Sequence, residues 1–216
     1  MNESSYLSPR ILDTALKLAE NQPWETIRLY DIAQEMEVSL DDIRAHYAQK
    51  EDLIDAWFDH ADQAMLQQAA TPEFLALSPH DRLETVMMSW MEALADHHKA
   101  TREMILGRLE PGHLHIQWAG LLRVSRTVQW MREAAHRDAS HLNRALEETV
   151  LTSIYLLTFG RWLTDESDHF QHTRRQLRSL LKKAGFILHL TEKERECPAP
   201  PLIRKAEEQG STGPHH

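Results

Sequence analysis

The stretch WETIRLYDIAQEMEVSLDDIRAHY at residues 24–47 decides the fold of this 216-residue chain. Two segments with helical spacing of apolar residues, 28–36 and 40–46, lie on either side of a short turn. A helix-turn-helix needs a small residue where its two helices cross, and Ala33 stands at that point. The apolar side chains needed on both sides of the turn are Leu29, Ile32, Val38 and Ile43. The stretch therefore predicts a helix-turn-helix unit.

The second helix of this unit follows a capping residue and ends before an aromatic side chain. Ser39 is a favourable N-cap, because its hydroxyl accepts a backbone N–H of the first turn. The side chains that this helix is expected to present outward are Leu40, Asp41, Arg44, Ala45 and His46. Tyr47 closes the unit against a further helix that begins near Lys50. In such units the second helix is the one that enters the major groove of DNA.

Outward from this unit, apolar residues recur at helical spacing along nearly the whole chain, which predicts an all-α fold. A first helix ends near Asn21, and Ser78-Pro79 opens another as N-cap and first-turn proline. Longer helices are predicted from about residue 50 and over about 114–136, 140–164 and 168–190. We expect three regions, namely a helix-turn-helix domain over 1–49, a second helical domain over 50–190, and a mostly disordered tail over 191–216.

Composition restricts the class of protein. Seven glycines are few for the turns of an all-β fold or for a glycine-rich phosphate loop. One cysteine, Cys197, excludes an internal disulfide, and the start of the chain lacks a secretory signal. No stretch is apolar and long enough to span a bilayer, and no catalytic motif is present. We therefore expect a cytoplasmic protein without membrane contact that is not an enzyme and needs no cofactor.

Two histidines form the candidate metal site with the best spacing. His169 and His172 lie one helical turn apart, with Asp165 nearby. Imidazole and carboxylate groups bind divalent ions such as zinc. Exposed histidines on a helix face are more common than chelating ones, so no metal is predicted.

Residues 24–53 resemble the TetR family of transcriptional regulators. The shared features are a preceding helix over 7–21, an aromatic at Trp24, Asp-Ile-Ala at 31–33, Val-Ser at 38–39, His-Tyr at 46–47 and Lys-Glu-Asp-Leu at 50–53. The resemblance implies a homodimer in which the domain over 1–49 binds double-stranded operator DNA. It implies that the helical domain over 50–190 binds a small effector and forms the dimer. It also implies that helices 140–164 and 168–190 pair with those of a second copy in a four-helix bundle.

The resemblance also implies which residues contact DNA. These are Ser39, Leu40, Asp41, Arg44, Ala45, His46 and Tyr47 around the recognition helix, and Lys50, which would face a phosphate. Two positions depart from the family pattern. Glu37 stands where the family usually has Gly, so either it accepts an unfavourable backbone angle or the turn adjusts. Arg44 replaces an aromatic that usually contacts phosphate, a role that its charge can fill.

The acidic charge of the chain is concentrated on this unit. The formal net charge is −9, and residues 1–56 hold 12 acidic and 5 basic side chains, or −7. Asp41 and Asp42 lie in the first turn of the recognition helix, where they suit the helix dipole but repel phosphate. Two hypotheses follow. The unit either binds DNA through few phosphate contacts or is kept as a scaffold.

The expected effector-binding domain is rich in aromatic residues and methionine. For any single residue a core position is the more common role, but together they suit an apolar pocket for a hydrophobic effector. The candidate ligand-binding residues are Met87, Trp90, Met91, Met104, Trp118, Leu122, Arg126, Trp130, Tyr155 and Phe159. Further polar candidates for orienting a ligand are Arg102, His113, His115, Arg123 and Ser125.

A second, shorter resemblance covers about thirty residues near the C-terminal end of this domain. Leu151-Thr-Ser-Ile-Tyr, Asp165-Glu-Ser-Asp-His-Phe and Thr173 are similar to the TetR-fold lipid-binding proteins of ubiquinone biosynthesis. Those proteins share the fold without binding DNA. The sequence thus predicts a ligand-responsive repressor of TetR type, with a lipid- or quinone-binding accessory protein as the alternative.

Overall fold

The computed structural model describes residues 3–108, 114–137 and 141–185, and the side chains of 6–107, 123–137 and 145–185. Ten α-helices lie in these ranges, namely α1 (Glu3–Asn21), α2 (Leu29–Glu35), α3 (Leu40–Arg44), α4 (Lys50–Ala69), α5 (Pro72–Leu75), α6 (Pro79–Glu92), α7 (His98–Arg108), α8 (Leu114–Ala134), α9 (His141–Trp162) and α10 (Gln171–Ala184). Short 3-10 turns lie at Trp24–Thr26, Ala95–His97 and Asp168–Phe170. No strand occurs within these ranges, and the predicted all-α fold is confirmed.

Helices α1, α2 and α3 form the predicted helix-turn-helix unit. Ile11, Ala33 and Ile43 are buried where the three helices meet. The turn between α2 and α3 contains Glu37 with φ of 55°, so this residue adopts the left-handed backbone angle that usually favours glycine. The Val38 amide then donates to the carbonyl of Ala33, 3.0 Å away. Of the two possibilities left open at Glu37, the chain uses the unfavourable angle.

An aspartate at the third position caps the N-terminus of each of three successive helices. In α2 the Asp31 carboxylate accepts the Arg28 amide at 2.8 Å. The same bond joins Asp42 to the Ser39 amide at the start of α3 (2.9 Å) and Asp52 to the Gln49 amide at the start of α4 (3.1 Å). The hydrogen bond from the Arg28 amide lowers the pKa of Asp31, and hydrogen bonds from the hydroxyl and then the amide of Ser39 lower the pKa of Asp42. Part of the negative charge of this unit therefore serves the helix termini themselves.

Helices α4, α6, α8, α9 and α10 pack around a second region of the core. Ser78 caps α6 as predicted, accepting the Asp81 amide at 3.2 Å, and Pro79 is the first helical residue. The predicted helix over 168–190 is divided into a 3-10 turn and α10, which ends at Ala184 within the described range. Helix α7 and the single turn α5 were not predicted. The expected tail, 191–216, lies outside the described residues.

None of the helices described is both long and apolar enough to cross a membrane.

Candidate DNA-binding surface and effector domain

Helix α3 has the exposed face expected of a recognition helix. Leu40 is 50% exposed, and Asp41, Arg44 and Ala45 are exposed as well. Ser39 caps the helix, since its hydroxyl accepts the Asp42 amide at 3.1 Å. The exposed face thus offers one guanidinium group, one free carboxylate and two apolar side chains to a partner.

His46 and Tyr47, which follow α3, differ in their exposure. His46 is half-buried and lies beside α1. Tyr47 is only 5% exposed, and its hydroxyl is 2.9 Å from the Ser8 hydroxyl and donates to the Ser8 carbonyl at 3.1 Å. Burial raises the pKa of the Tyr47 phenol, which remains a neutral donor. Tyr47 therefore joins α1 to the end of the recognition helix.

Lys50 makes its polar contacts inside the protein. Its ammonium group donates to the carbonyls of Trp24 and Glu25, the latter at 3.3 Å, and lies 4.9 Å from the centre of the Trp24 ring. Partial burial lowers the pKa of Lys50. Because two of its three donors are occupied, Lys50 fastens the start of α4 to the 3-10 turn that precedes α2.

The same 3-10 turn is held by the second region of the chain. The Trp24 amide donates to the Glu103 carboxylate of α7 at 2.8 Å. Deeper in the core, the Trp57 indole N–H of α4 donates to the Thr101 hydroxyl of α7, also at 2.8 Å. The helix-turn-helix unit is therefore connected to α7 both directly and through α4.

Most of the predicted ligand-binding residues lie in the packed core. Those at most 8% exposed are Met87, Trp90, Met91, Met104, Tyr155 and Phe159. The Trp90 ring meets Tyr155 and Phe159 edge to face at 5.5 Å, a geometry typical of close aromatic packing. Trp130 differs from this group, because 46% of it is exposed. Arg126 is also exposed, and the side chains of Trp118, Leu122, His113 and His115 lie outside the described residues.

A buried polar network joins three helices in the centre of this core. Asp62 of α4 accepts the Trp90 indole N–H at 2.7 Å, the Thr127 hydroxyl at 3.3 Å and an Arg123 N–H at 3.0 Å. Burial raises the pKa of Asp62, while the Arg123 guanidinium opposes that rise. Burial, with a smaller contribution from the Asp62 carboxylate, also raises the pKa of Tyr155 on α9 above its usual range. The hydrogen bonds of the network therefore tie α4 to α6 and α8.

Helix α9 has an exposed apolar face. Leu146, Leu156 and Leu157 are 53%, 46% and 56% exposed, and a Cβ built on Gly160 would meet no atom within 4 Å. Leu146, Leu157 and Gly160 follow the spacing of one helix face together with the exposed Ser153. Exposed leucines aligned in this way are typical of a surface that another protein covers.

The ligand atoms of Asp165, His169 and His172, the candidate metal site with the best spacing, do not lie close enough together to share an ion. His169 is exposed and contacts Asp168 at 3.5 Å, while Asp165 accepts hydrogen bonds from Ser167 and Thr173. Within the described residues, His80, Asp81 and Glu84 are close enough to share an ion. The carboxylate of Glu84 is already paired with Arg178 at 2.8 and 2.9 Å, so this cluster is an ion-pair site.

Comparison with solved structures gives the family of the chain. The crystal structure of a TetR transcriptional regulator from Nitrosomonas europaea ATCC 19718 is 48% identical in sequence, with a TM-score of 0.75. The match covers 83% of this chain and 98% of that one. This chain belongs to the TetR family of transcriptional regulators. The resemblance in the helix-turn-helix stretch is thereby confirmed over most of the chain.

A second TetR regulator agrees with this assignment at the level of the fold. The crystal structure from Rhodococcus sp. RHA1 is 21% identical with a TM-score of 0.59, and the match covers 80% of this chain and 94% of that one. A scan of family models and a search of curated proteins give no match. The TetR fold is thus seen at two levels of sequence identity.

Sequence reasoning missed Asp62, the centre of the polar network in this TetR-family chain. One signal was available, because Asp62 falls on the apolar side of α4, four residues after Phe58 and three before Met65. A carboxylate within an apolar stripe predicts a buried partner. Arg123 was expected to orient a ligand, and the structure pairs it with Asp62 and with Asp59, 2.6 Å away.

Proposed function

We propose that this TetR-family chain is a homodimeric, ligand-responsive DNA-binding regulator, and that it is a repressor that a small hydrophobic effector releases from its operator. The observation that carries the proposal is the exposed face of α3, on which Arg44 and Leu40 lie within a helix-turn-helix unit. A chain of this family with such a face is suited to reading the major groove. The domain limits at 49 and 190 are part of this proposal.

On the DNA side, the base-contacting residues are those on the face of α3. We assign Leu40, Asp41, Arg44 and Ala45 to the groove, where a carboxylate can accept from a cytosine amine and a guanidinium can donate to guanine or phosphate. Ser39 and Tyr47 support this helix through the cap and the bond to α1. The internal contacts of Lys50 favour a role in positioning α4, and its third N–H is left for a phosphate.

On the dimer side, the proposed interface runs along α9 and α10, within the predicted ranges 140–164 and 168–190. The exposed leucines and Gly160 of α9 support it, because covering them removes apolar surface from water. A dimer of this kind sets the distance between two copies of α3, and therefore the spacing of the two half-sites.

The response to an effector follows from the position of α4. This helix begins at Lys50 beside the helix-turn-helix unit and is tied at Asp62 to α6 and α8. An effector that favours one packing of these helices shifts α4, and a shifted α4 changes the distance between the two recognition helices. The buried aromatic and methionine side chains favour an apolar effector.

The test is selection of bound duplexes from random-sequence DNA by the full-length protein, repeated over a salt series. The proposal predicts enrichment of an inverted repeat, with affinity falling as salt rises. Recovery of no enriched sequence even at about 50 mM salt would contradict DNA binding, because electrostatic attraction is strongest there.

The second candidate function is a lipid- or quinone-binding accessory protein that does not bind DNA. The charge of −7 on residues 1–56 favours it, because this surface repels phosphate. It predicts that lipid or quinone co-purifies with the protein. Native mass spectrometry of the purified protein shows whether lipid or quinone is bound. A protein that carries no such ligand and that selects an inverted repeat supports only the regulator.

A further inference from the structure

Three of the five basic side chains in residues 1–56 are already engaged. Lys17 pairs with Asp13 at 2.7 Å. Arg28 donates to Asp31 at 3.3 and 3.4 Å. Lys50 donates to backbone carbonyls of the 3-10 turn, as described above. Few cations of this unit are therefore free to meet a polyanion.

Arg10 and Arg44 are the two that remain. Both side chains are exposed, and neither has a hydrogen bond or ion pair with any residue whose side chain is described. Arg44 lies on α3 itself, whereas Arg10 lies on α1, the helix that precedes the stretch 24–47. A guanidinium on a neighbouring helix can contact the DNA backbone if it lies beside the recognition helix.

Arg10 lies in a groove between α1 and α3. The groove has a volume of about 490 Å³, and the residues that line it are Tyr6, Leu7, Arg10, Val38, Asp42, Ala45 and His46. Ala45 belongs to the outward face of α3 as well, so the groove is continuous with the proposed DNA-reading face. The Asp42 carboxylate is occupied by the amide and hydroxyl of Ser39, at 2.9 and 2.6 Å. Among the residues whose side chains the structure describes, none is a partner of Arg10, which is the cation that lines this groove.

The position of Arg10 relative to α3 is fixed by Tyr47. The Tyr47 hydroxyl bonds to Ser8, one turn or less from Arg10 along α1, and the Tyr47 ring is buried. The side of α1 that carries Tyr6, Leu7 and Arg10 is thus held beside the end of α3. Such preorganisation lowers the cost of placing a long side chain against a ligand.

We propose that this groove receives the phosphate backbone of operator DNA and that Arg10 donates to a phosphate there. A guanidinium matches the geometry of phosphate oxygens and forms charge-assisted hydrogen bonds with them. The occupant follows from the exposed guanidinium of Arg10, which has no partner among the described side chains, and from the continuity of the groove with α3. The proposal rests on the proposed function, because it adds a backbone-positioning residue to a chain that binds DNA.

The experiment compares Arg10→Ala with Lys17→Ala in the full-length protein. Both remove one positive charge from exposed positions on α1, but Lys17 is paired with Asp13. Affinity for a duplex recovered by the selection, and for a scrambled duplex, is measured by fluorescence anisotropy over a potassium chloride series. Arg10→Ala should weaken both about tenfold and reduce the slope of log K against log salt by about 1 for each bound protomer. Lys17→Ala should leave that slope unchanged, and Arg10→Lys should retain it.

Three results overturn the proposal. If Arg10→Ala and Lys17→Ala changed the affinity and the salt slope equally, the effect would come from the net charge of the protein and not from a contact of Arg10 in the groove. A normal salt slope for Arg10→Ala, with binding lost in Arg44→Ala, would exclude the groove and leave the proposed function standing. Failure of the wild-type protein to bind any duplex would overturn both, and circular dichroism confirms that the variants compared are folded.

Discussion

The Asp62 carboxylate on α4 lies 3.0 Å from the Arg123 guanidinium on α8, and each residue is only 7% exposed. The pair is completed by the indole N–H of Trp90 and by the Thr127 hydroxyl. Such a buried pair is strongly sensitive to the loss of one partner, because the other charge then remains buried without compensation. Since α4 also carries Lys50 at its start, this pair connects the core of the second region to the helix-turn-helix unit.

Substitution Arg123→Met tests this connection. It should lower the free energy of unfolding by about 3–5 kcal/mol, because it leaves the Asp62 carboxylate buried without its cation. Burial raises the pKa of Asp62, and loss of Arg123 removes a charge that opposes this rise. A raised folded-state pKa means that the contribution of Asp62 to stability falls as pH rises, so the loss of stability relative to the wild type should be smallest at acidic pH. Urea unfolding at several pH values measures both effects.

The matched control is Arg126→Ala, three residues along the same helix. Arg126 is exposed and lies 3.8 Å from the exposed Asp59 carboxylate. Exposed pairs of this kind contribute about 0–1 kcal/mol. If the two variants lost the same stability, the buried network would not be the element that holds α4.

Asp165→Asn tests the turn between α9 and α10. The Asp165 carboxylate accepts from the amides and hydroxyls of Ser167 and Thr173, at 2.6 to 3.1 Å. Burial opposes its ionisation, but these hydrogen bonds outweigh burial and hold its pKa well below the ordinary range. An amide cannot replace all four acceptor contacts, so we expect a loss of about 1–3 kcal/mol at neutral pH.

The pH dependence of this loss has a definite sign. A carboxylate with a lowered folded-state pKa stabilises fully above its unfolded value and loses that contribution as pH falls toward the folded value. The difference between wild type and Asp165→Asn should therefore shrink below about pH 4. Glu166→Gln is the control, because Glu166 is exposed. A difference that is constant down to pH 2 would contradict the account.

Leu157→Asp tests the proposed dimer surface of α9. Leu157 is 56% exposed, and a carboxylate there would be buried without a partner in the dimer. We expect dissociation to monomers in light scattering coupled to size-exclusion chromatography. The control is Leu106→Asp on α7, where the leucine is 51% exposed. A wild-type monomer, or an equal effect of both variants, would exclude this face as the interface.

Features with a local physical cause were predictable from the sequence. Ser39 and Ser78 cap helices because a hydroxyl before a helix start satisfies free amides, and both caps occur as expected. Ala33 allows the close crossing of two helices and is buried. A positive φ at Glu37 was one of the two outcomes expected at this turn. It occurs because the turn requires a left-handed backbone angle there, although the residue is not glycine.

Features that depend on distant contacts were not predictable. Asp62 and Arg123 are 61 positions apart, and only the folded chain brings them together. The ammonium group of Lys50 has the same sequence context whether it faces a phosphate or the carbonyls of Trp24 and Glu25. Helix α7 was not predicted because polar residues dominate its sequence and leave no clear apolar stripe. The helix is buried by its neighbours, and the local sequence does not show those contacts.

The account depends most on sequence-specific DNA binding through α3. The measurement is the affinity of the full-length protein for the selected duplex and for a scrambled duplex at about 50 mM salt, with Arg44→Ala beside the wild type and Arg175→Ala on α10 as the charge control. We predict that the wild type and Arg175→Ala prefer the selected duplex by at least about 10³-fold and that Arg44→Ala loses this preference. Equal affinity of the wild type for both duplexes, or an unchanged preference in Arg44→Ala, would contradict the account.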